Sequence, residues 1–341
     1  MPLARAAECE QLTVVRDRRS GAVAVLAVHD TRLGPAHGGI RRWPYESLEE
    51  AVADVVALAK AMTCKCALAG VPAGGGKAVI LDRPGLDREQ AYRLVGRTVE
   101  QLGGRFFTGP DVGTTDADLR IVREHTRYVA VEDQDGPGDL AGATADGVMA
   151  AMVALSERLG LRLDGLHVAV QGLGAVGLGL CRRLSAAGAR LSVCDVIPER
   201  VAAAVDQCGA AAVSPEQLLS APCDVFAPCA LGGVLTEQVA QSLPARGVCG
   251  AANNPLGSAE AGRILHRRGV VVVPDCVANA GALILGATWH LTGQRAAPER
   301  VLAIGATTRE VLERAAAADL PPIELALQLA GERVERAGAS A

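Results

Sequence analysis

Two lysines stand in surroundings that lysine ordinarily avoids. The run Met62-Thr-Cys-Lys65-Cys-Ala-Leu-Ala-Gly70-Val-Pro-Ala-Gly74-Gly75-Gly76-Lys77 is otherwise apolar or glycine, whereas lysine side chains usually keep their ammonium groups in surface water. Three glycines beside Lys77 point to a backbone that something approaches closely. Solvated lysines on loops are the plainer alternative, and the glycines weigh against it. A lysine so placed offers a cation or, where burial and a like charge favour the neutral amine, a base. Cys64 and Cys66 sit within the same run but lack a Cys-x-x-Cys spacing or a nearby His, so no metal site is assigned.

A second constellation reads as a dinucleotide site. The apolar strand Val168-Ala-Val-Gln171 leads directly into Gly172-Leu-Gly174-Ala175-Val176-Gly177 and a helix through Leu184. Gly172 permits the tight turn, Gly174 lets the backbone approach a pyrophosphate, and Gly177 allows close helix packing. The helix N-terminus supplies free amides and positive potential. The next strand ends at Asp195, at the distance expected of a carboxylate that accepts hydrogen bonds from ribose hydroxyls. That favours NAD, because a 2'-phosphate would meet its negative charge; Arg200, a few residues on, softens the preference.

The elements that must position these groups alternate. Ala22 to His29 reads as a strand, and Ser47 with Glu50 as a capping box ahead of a helix carrying Leu48, Val52, Val55, Ala59 and Met62. Lys77 to Leu81 reads as a strand, and Asp87 with Gln90 opens a helix that stops at Gly103-Gly104. Around Asp133 to Gly142 the composition shifts to Asp, Gly and Pro, which marks a surface linker and a domain boundary. Beyond it, strands at Leu166 to Gln171, Arg190 to Cys194, Asp224 to Ala227, Val248 to Gly250 and Val270 to Val273 are separated by helical stretches, the pattern of a parallel sheet. The expectation is an α/β protein of two domains with an active-site cleft between them. Residues 1–140 form an N-terminal α/β catalytic and oligomerisation domain. Residues 141–341 form a doubly wound Rossmann domain whose helical tail, Pro298 to Ala337, packs back on the first.

The bulk properties agree with that plan. At 341 residues the chain is too long for one small core. Half of it is hydrophobic and 21% charged, with so few Phe, Tyr and Trp that Val, Leu and Ala must fill the interior. A formal net charge of -4 and a pI near 5.9 leave no basic face for nucleic acid. Met1 to Arg19 has no apolar stretch of signal length and no run is long enough to span a bilayer, so a cytoplasmic protein without a membrane partner is expected. The ten cysteines are dispersed, several (Cys181, Cys194, Cys249) inside apolar segments, and read as buried free thiols.

Further motifs stand in order along the chain: Gly34-Pro-Ala-His37-Gly38-Gly39-Ile-Arg41, Met62-Thr-Cys-Lys65, Gly74-Gly-Gly-Lys77-Ala-Val-Ile, Thr108-Gly109-Pro-Asp111-Val-Gly113-Thr114, Pro228-Cys229-Ala230-Leu-Gly232, Ala252-Asn253-Asn254 and Pro274-Asp-Cys-Val-Ala-Asn279-Ala-Gly281. In these the chain resembles the glutamate, leucine, phenylalanine and valine dehydrogenase family over nearly its whole length, and the leucine and phenylalanine branch most. The resemblance implies reversible, NAD-dependent oxidative deamination of an L-amino acid to its 2-oxo acid and ammonia. It implies that Lys65 and the Gly38-Gly39 segment hold the substrate carboxylate, that Lys77 is the base for water attacking the imine carbon, and that Asp111 exchanges protons with the substrate nitrogen. It places Thr144, Cys229, Ala230, Asn253 and Asn279 about the cofactor, Asn253, Asn279 and Thr144 near the nicotinamide ribose, its carboxamide or the substrate. It also implies a homodimer or larger homo-oligomer assembled through the first domain.

Four positions of the family's side-chain pocket appear here as His37, Gly109, Leu283 and Gly286. Glutamate-specific relatives place a lysine before the Gly-Gly pair and a serine where Gly286 stands; neither is present, which disfavours glutamate. Gly109 with Leu283 resembles the phenylalanine pattern, and glycines in place of alanine and valine enlarge the pocket, so phenylalanine-like substrates are expected first and leucine and valine close behind. His37 departs from the family, which has an apolar residue there; it either narrows the pocket or hydrogen-bonds a phenol or indole. Ala282 replaces a common second glycine. Two other readings compete: a non-catalytic NAD-binding regulator on the same fold, and a hydroxy-acid dehydrogenase sharing only the Rossmann half. The retention of Lys65, Lys77 and Asp111 together weighs against both.

Overall fold

Alternation of apolar residues builds the first sheet. The chain runs through β1 (Gln11–Arg16), β2 (Val23–Asp30), β3 (Ala36–Trp43), α1 (Leu48–Leu68), β4 (Gly74–Leu81), α2 (Arg88–Gln101), β5 (Phe106–Pro110) and α3 (Asp116–Arg123). The strands lie in the order β1-β2-β4-β3-β5, with β2 antiparallel to both β1 and β4, and β4, β3 and β5 mutually parallel. Because side chains alternate along a strand, Leu26, Ile40, Ala78, Ile80 and Phe106 form one core with Tyr92 and Val95 of α2 and Leu119 of α3. Val25, Ala27, Val79 and Leu81 form another with Val52, Val55 and Ala59 of α1. Lys77 shares the alternation of Val79 and Leu81, and so belongs to the α1 face. In register, His37 pairs with Phe107 and Gly39 with Gly109, which puts these residues and Arg41 on that face too.

The computed structural model describes residues 7–131 and 136–339. Residues 1–6 of the N-terminal segment and residues 133–135 of the expected linker lie outside the described residues. One unit comprises residues 1–138, 283–296 and 329–341, and the other residues 139–282 and 297–328. Thus two stretches from the range expected for the second domain group with the first. Within that first unit, Arg333 donates to the carbonyls of Ala67 and Leu68 at 3.0 and 3.1 Å, closing the C-terminal end of α1. At the other end, Ser47 accepts from the Glu50 N–H, while the Glu50 carboxylate takes the N–H of Glu46. The expected reciprocal bond from Glu50 to Ser47 is displaced by one residue.

The second unit contains α4 (Leu140–Arg158), β6 (His167–Gln171), α5 (Ala175–Ala186), β7 (Arg190–Cys194), α6 (Pro198–Cys208), β8 (Ala211–Ala212), α7 (Pro215–Ser220), β9 (Val225–Pro228), α8 (Glu237–Ser242), β10 (Gly247–Val248), α9 (Ala259–Arg267), β11 (Val271–Val272) and α10 (Asp275–Ala278). Four further helices follow: α11 (Gly281–Thr292), α12 (Pro298–Leu302), α13 (Ile304–Ala318) and α14 (Pro322–Ala339). The six strands are ordered β11-β10-β9-β6-β7-β8 and every pair is parallel. This is the doubly wound order, with its reversal between β6 and β9. All ten cysteines are free thiols, among them buried Cys66, Cys181, Cys194, Cys208, Cys249 and Cys276. No helix among the described residues is long and apolar enough to cross a membrane.

The triple glycine has a reason that lies within the protein. A Cβ on Gly75 would overlap the backbone N of Thr63 and O of Ala59 in α1, and one on Gly76 would stand 2.6 Å from the Phe106 ring. These glycines let a helix and a ring press against β4 from opposite sides. Gly75→Ala is therefore expected to lower the denaturant midpoint by about 1–3 kcal/mol of stability without changing the slope. Gly331→Ala, on open α14 where a Cβ meets nothing within 4 Å, should instead stabilise by about 0.5–1 kcal/mol in the same urea titration.

Candidate active site

The α1 face of the first sheet carries a buried ion network. Asp111, immediately after β5, receives Lys77 Nζ at 2.9 Å and Arg41 Nε at 3.0 Å on the same oxygen, Oδ2. Arg41 reaches on to Asp54 of α1 at 3.1 Å, and the Tyr45 hydroxyl donates to Asp54 at 2.5 Å. Burial and the neighbouring Asp54 push the Tyr45 phenol up, so it remains a donor. The Lys77 side chain is only 7% exposed and that of Asp111 12%. A lysine and a carboxylate so withdrawn from water require partners, and here each supplies the other.

Backbone contacts hold Asp111 in place. The N–H of Thr114 donates to the Asp111 carbonyl at 3.0 Å, and that of Arg42 to the Val112 carbonyl at 2.9 Å. Gly113 has φ +79°, and a Cβ there would overlap the Arg42 carbonyl oxygen, so the turn requires glycine. The Thr114 hydroxyl donates to the Ile40 carbonyl at 2.6 Å and lies 2.8 Å from the Tyr92 hydroxyl. Burial alone would raise the Asp111 carboxyl. The charges of Lys77 and Arg41, with hydrogen bonds from Lys77 and the Val112 N–H, overcome that and hold it down to about 2. The sequence had placed a like charge, Lys65, beside Lys77; the charge that touches Lys77 is a carboxylate.

Lys65 occupies the last turn of α1, half-buried, and that helix touches β4 at Gly75 through Thr63. Gly38 and Gly39 are demanded by the sheet: a Cβ on Gly38 would overlap the Gly76 carbonyl oxygen, and one on Gly39 the Pro110 carbonyl oxygen, with Asp111 Cβ at 2.9 Å. His37 is 3% exposed. Its ring stacks on Phe107 (centroids 5.0 Å, 9° between planes) and lies 5.4 Å from His290 of α11. Burial pushes the His37 imidazole down to about 4, against the carbonyl of Pro35; burial, then the adjacent His37, pushes His290 down to about 3. Leu283 and Gly286 precede His290 by seven and four residues on the same helix, so the three share a face. A Cβ on Gly286 would meet nothing within 4 Å, and one on Gly109 only Ala130 Cβ at 3.8 Å. Gly286 borders open space, while Gly109 has room for one methyl group in contact with Ala130.

In the second unit the glycine loop fits a dinucleotide. Gly172 has φ +93° and a Cβ would crowd Ala230 at 2.7 Å; one on Gly177 would overlap the Gly172 carbonyl oxygen and stand 3.2 Å from Cys229 Cβ. Gly174 is the N-cap of α5, without a side-chain cap, and a Cβ there meets nothing within 4 Å. The bare amides of Gly174, Ala175 and Val176 at this helix N-terminus suit a pyrophosphate. Asp195 accepts the Leu173 N–H at 2.6 Å and the Ile197 N–H at 2.9 Å, and Arg200 stands 3.7 Å away. Cys229, past the end of β9, donates its N–H to the Gln171 carbonyl at 2.7 Å, which places it and Ala230 at the switch point. Asn279 donates to Ala251 O at 3.0 Å and Asn253 Oδ1 at 2.9 Å, while its own Oδ1 is buried without a partner. Such an orphaned acceptor suits a carboxamide N–H of the cofactor. Thr144 accepts the Ala282 N–H at 3.3 Å.

Sequence reasoning passed over Arg41, Asp54, Tyr45, Phe107 and His290. Arg41 stood inside a quoted motif, and its charge on an alternation shared with His37 and Gly39 was the available signal. The others depend on residues far along the chain.

The family description "Glu/Leu/Phe/Val dehydrogenase, dimerisation domain" matches residues 9–128, and "Glutamate/Leucine/Phenylalanine/Valine dehydrogenase" matches residues 193–290. The chain is 42% identical over 333 residues to a leucine dehydrogenase of Geobacillus stearothermophilus, covering 96% of this chain and 90% of that protein. It is 37% identical over 341 residues to a phenylalanine dehydrogenase of Caldalkalibacillus thermarum, covering 96% and 92%. The crystal structure of L-tryptophan dehydrogenase from Nostoc punctiforme is similar with a TM-score of 0.85 and 36% identity, over 99% of each chain.

Because the Asp111 carboxyl is depressed in the folded protein, its ionised form contributes stability in full above its ordinary value near 3.8, and the contribution disappears as pH falls through about 2. Asp111→Asn should cost about 1–3 kcal/mol at pH 6. The gap to the unsubstituted protein should then close between about pH 4 and 2, read by denaturant midpoints along that series.

Proposed function

Because the chain belongs to the glutamate, leucine, phenylalanine and valine dehydrogenase family, we propose that it catalyses the reversible oxidative deamination of a hydrophobic L-amino acid with NAD. A phenylalanine-like side chain is preferred, with leucine and valine close behind. The reaction class follows from the family; the substrate, the coenzyme and the residue roles are this proposal's own. The observation that carries it is the buried contact of Lys77 with Asp111, a base and a proton carrier held 2.9 Å apart on one sheet face. A regulator without activity has little need of that contact, since replacing a whole buried ion pair by well-packed apolar side chains is often neutral or stabilising.

The residues divide the work by charge. Lys65 pairs with the substrate carboxylate. Asp111, ionised at neutral pH, accepts a proton from the α-ammonium group and leaves an amine lone pair that assists oxidation of the α-carbon. NAD, when bound at the glycine loop, supplies the hydride acceptor. Water then adds to the iminium carbon as Lys77, which must first yield its ion-pair proton to solvent, takes a proton from it. Proton return to nitrogen through Asp111 lets ammonia leave, so that amino acid, water and NAD give oxo acid, ammonium, NADH and one proton. Arg41 does not touch the substrate in this scheme; it anchors Asp111.

Asp195 supports NAD over NADP, because its carboxylate lies where the adenosine ribose is expected and would repel a 2'-phosphate. Gly286, which borders open space, and Gly109, where no side chain occupies the room beside Ala130, support a large side chain. His37 in place of a lysine and Gly286 in place of a serine remove the groups that would hold a glutamate carboxylate. The first unit, matched to a family description that names dimerisation, supports a homo-oligomer.

Incubation with L-phenylalanine, L-leucine, L-valine or L-glutamate and NAD, followed by NADH absorbance, should show turnover fastest with phenylalanine and negligible with glutamate. NADP in place of NAD should lower kcat/KM by about tenfold or more. Lys77→Ala should reduce kcat by about 10²–10⁴-fold. NAD binding by calorimetry with no turnover of these acids, nor of L-tyrosine or L-tryptophan, would move the protein to the regulator class.

A further inference from the structure

Beside the ion network lies a polar atom that no side chain or backbone group among the described residues satisfies. His37 Nδ1 is 2.9 Å from the Pro35 carbonyl. A carbonyl oxygen only accepts, so Nδ1 carries the hydrogen, and in the neutral ring Nε2 is a bare lone pair. Nε2 is buried and makes no hydrogen bond. Burial keeps the ring neutral, with the imidazole pushed down to about 4, so Nε2 remains an acceptor throughout the working pH range. Buried polar atoms are rarely left in this condition, and a ligand is one of the explanations for those that are.

The setting favours an aromatic ligand. Phe107 covers one face of the His37 ring, and His290 tilts against both rings, 5.4 Å from His37 and 4.8 Å from Phe107. The His290 nitrogens are also buried without a well-formed hydrogen bond, making only a weaker polar approach to the Val129 carbonyl. Gly286, one turn before His290, borders open space, and Gly109, two residues beyond Phe107, leaves room up to Ala130. Flat walls, free volume and an unmet acceptor occur on the face that carries Lys77 and Asp111.

We propose that His37, backed by Phe107 and His290, is a specificity-determining residue whose Nε2 accepts a hydrogen bond from the ring of the substrate, so that the preferred substrates are aromatic L-amino acids bearing a ring donor, a phenol O–H or an indole N–H. This rests on the deaminase reading above and narrows its substrate class. A site that keeps an unmet acceptor for a substrate donor discriminates against an otherwise similar substrate lacking it, because the acceptor then stays dry and unpaired.

The test uses pairs of substrates that differ in the donor alone, with the full chain and NAD: L-tyrosine against L-phenylalanine, and L-tryptophan against 1-methyl-L-tryptophan. The donor-bearing member of at least one pair is expected to have a kcat/KM about tenfold higher or more, and the pair that shows it tells phenol from indole. His37→Leu should bring that ratio to about one or below; being a ratio within one variant, it is insensitive to how much of the variant folds. Ratios near one in both pairs for the unsubstituted enzyme, or a ratio that survives His37→Leu, would overturn the proposal while leaving the deaminase reading intact. Turnover of leucine with none of the four aromatic acids would sink the aromatic preference above as well.

Discussion

One carboxylate oxygen organises the first unit. Asp111 Oδ2 is shared by an ammonium and a guanidinium, Lys77 and Arg41, in a place where water reaches little of any of them. Removing one cation would leave an uneven balance of buried charge, which is costly when water cannot compensate. The whole neighbourhood follows from keeping that triad together. β3, β4 and β5 must be adjacent and parallel, their registers must bring Arg41, Lys77 and Asp111 to the same face, and the turn after β5 must close at Gly113 to hold the carboxylate there. Asp54 and Tyr45 extend the network to α1 and prevent the guanidinium from turning away.

Glycine makes this packing possible where a side chain would not. Gly38, Gly39, Gly75 and Gly76 each occupy a position where a Cβ would collide with a neighbouring strand, helix or ring. A glycine run next to a lysine reads naturally as room for a ligand, yet here the space belongs to the protein's own backbone. At Gly174 and Gly286 the reverse holds, and the missing side chain leaves open space. The two kinds look alike in a sequence, since what separates them is the distance to atoms contributed by other segments.

Satisfied and unsatisfied polar groups divide along similar lines. The Asp111 network, and the Asp195 carboxylate with its two backbone donors, are complete as they stand. His37 Nε2 and Asn279 Oδ1 are not. Because folding selects against buried groups without partners, such atoms are places where a bound molecule has something to contribute; the His290 nitrogens, Thr108 Oγ1 and Gln171 Oε1 are among the others.

The chain's own order determined a good deal. The Gly172 to Gly177 loop, its flanking strand and helix, Asp195, and the capped helices after Ser47 and Asp87 are all local patterns, in which residues a few positions apart dictate backbone geometry and hydrogen bonding. Lys77 and Asp111 were named together through motifs shared with a family, and they are in contact. The strands β1, β3, β5 and β8 were not, because β3 and β5 are interrupted by Gly-Gly and Gly-Pro, β1 is half-exposed, and β8 is two exposed alanines. Pairing with neighbours, rather than propensity, makes them strands. The bond from Arg41 to Asp111 spans 70 residues, and His290 comes to His37 from a helix far along the chain. Only the fold decided these contacts, since whether a charge or an imidazole finds a partner depends on which distant segments share its face of the sheet.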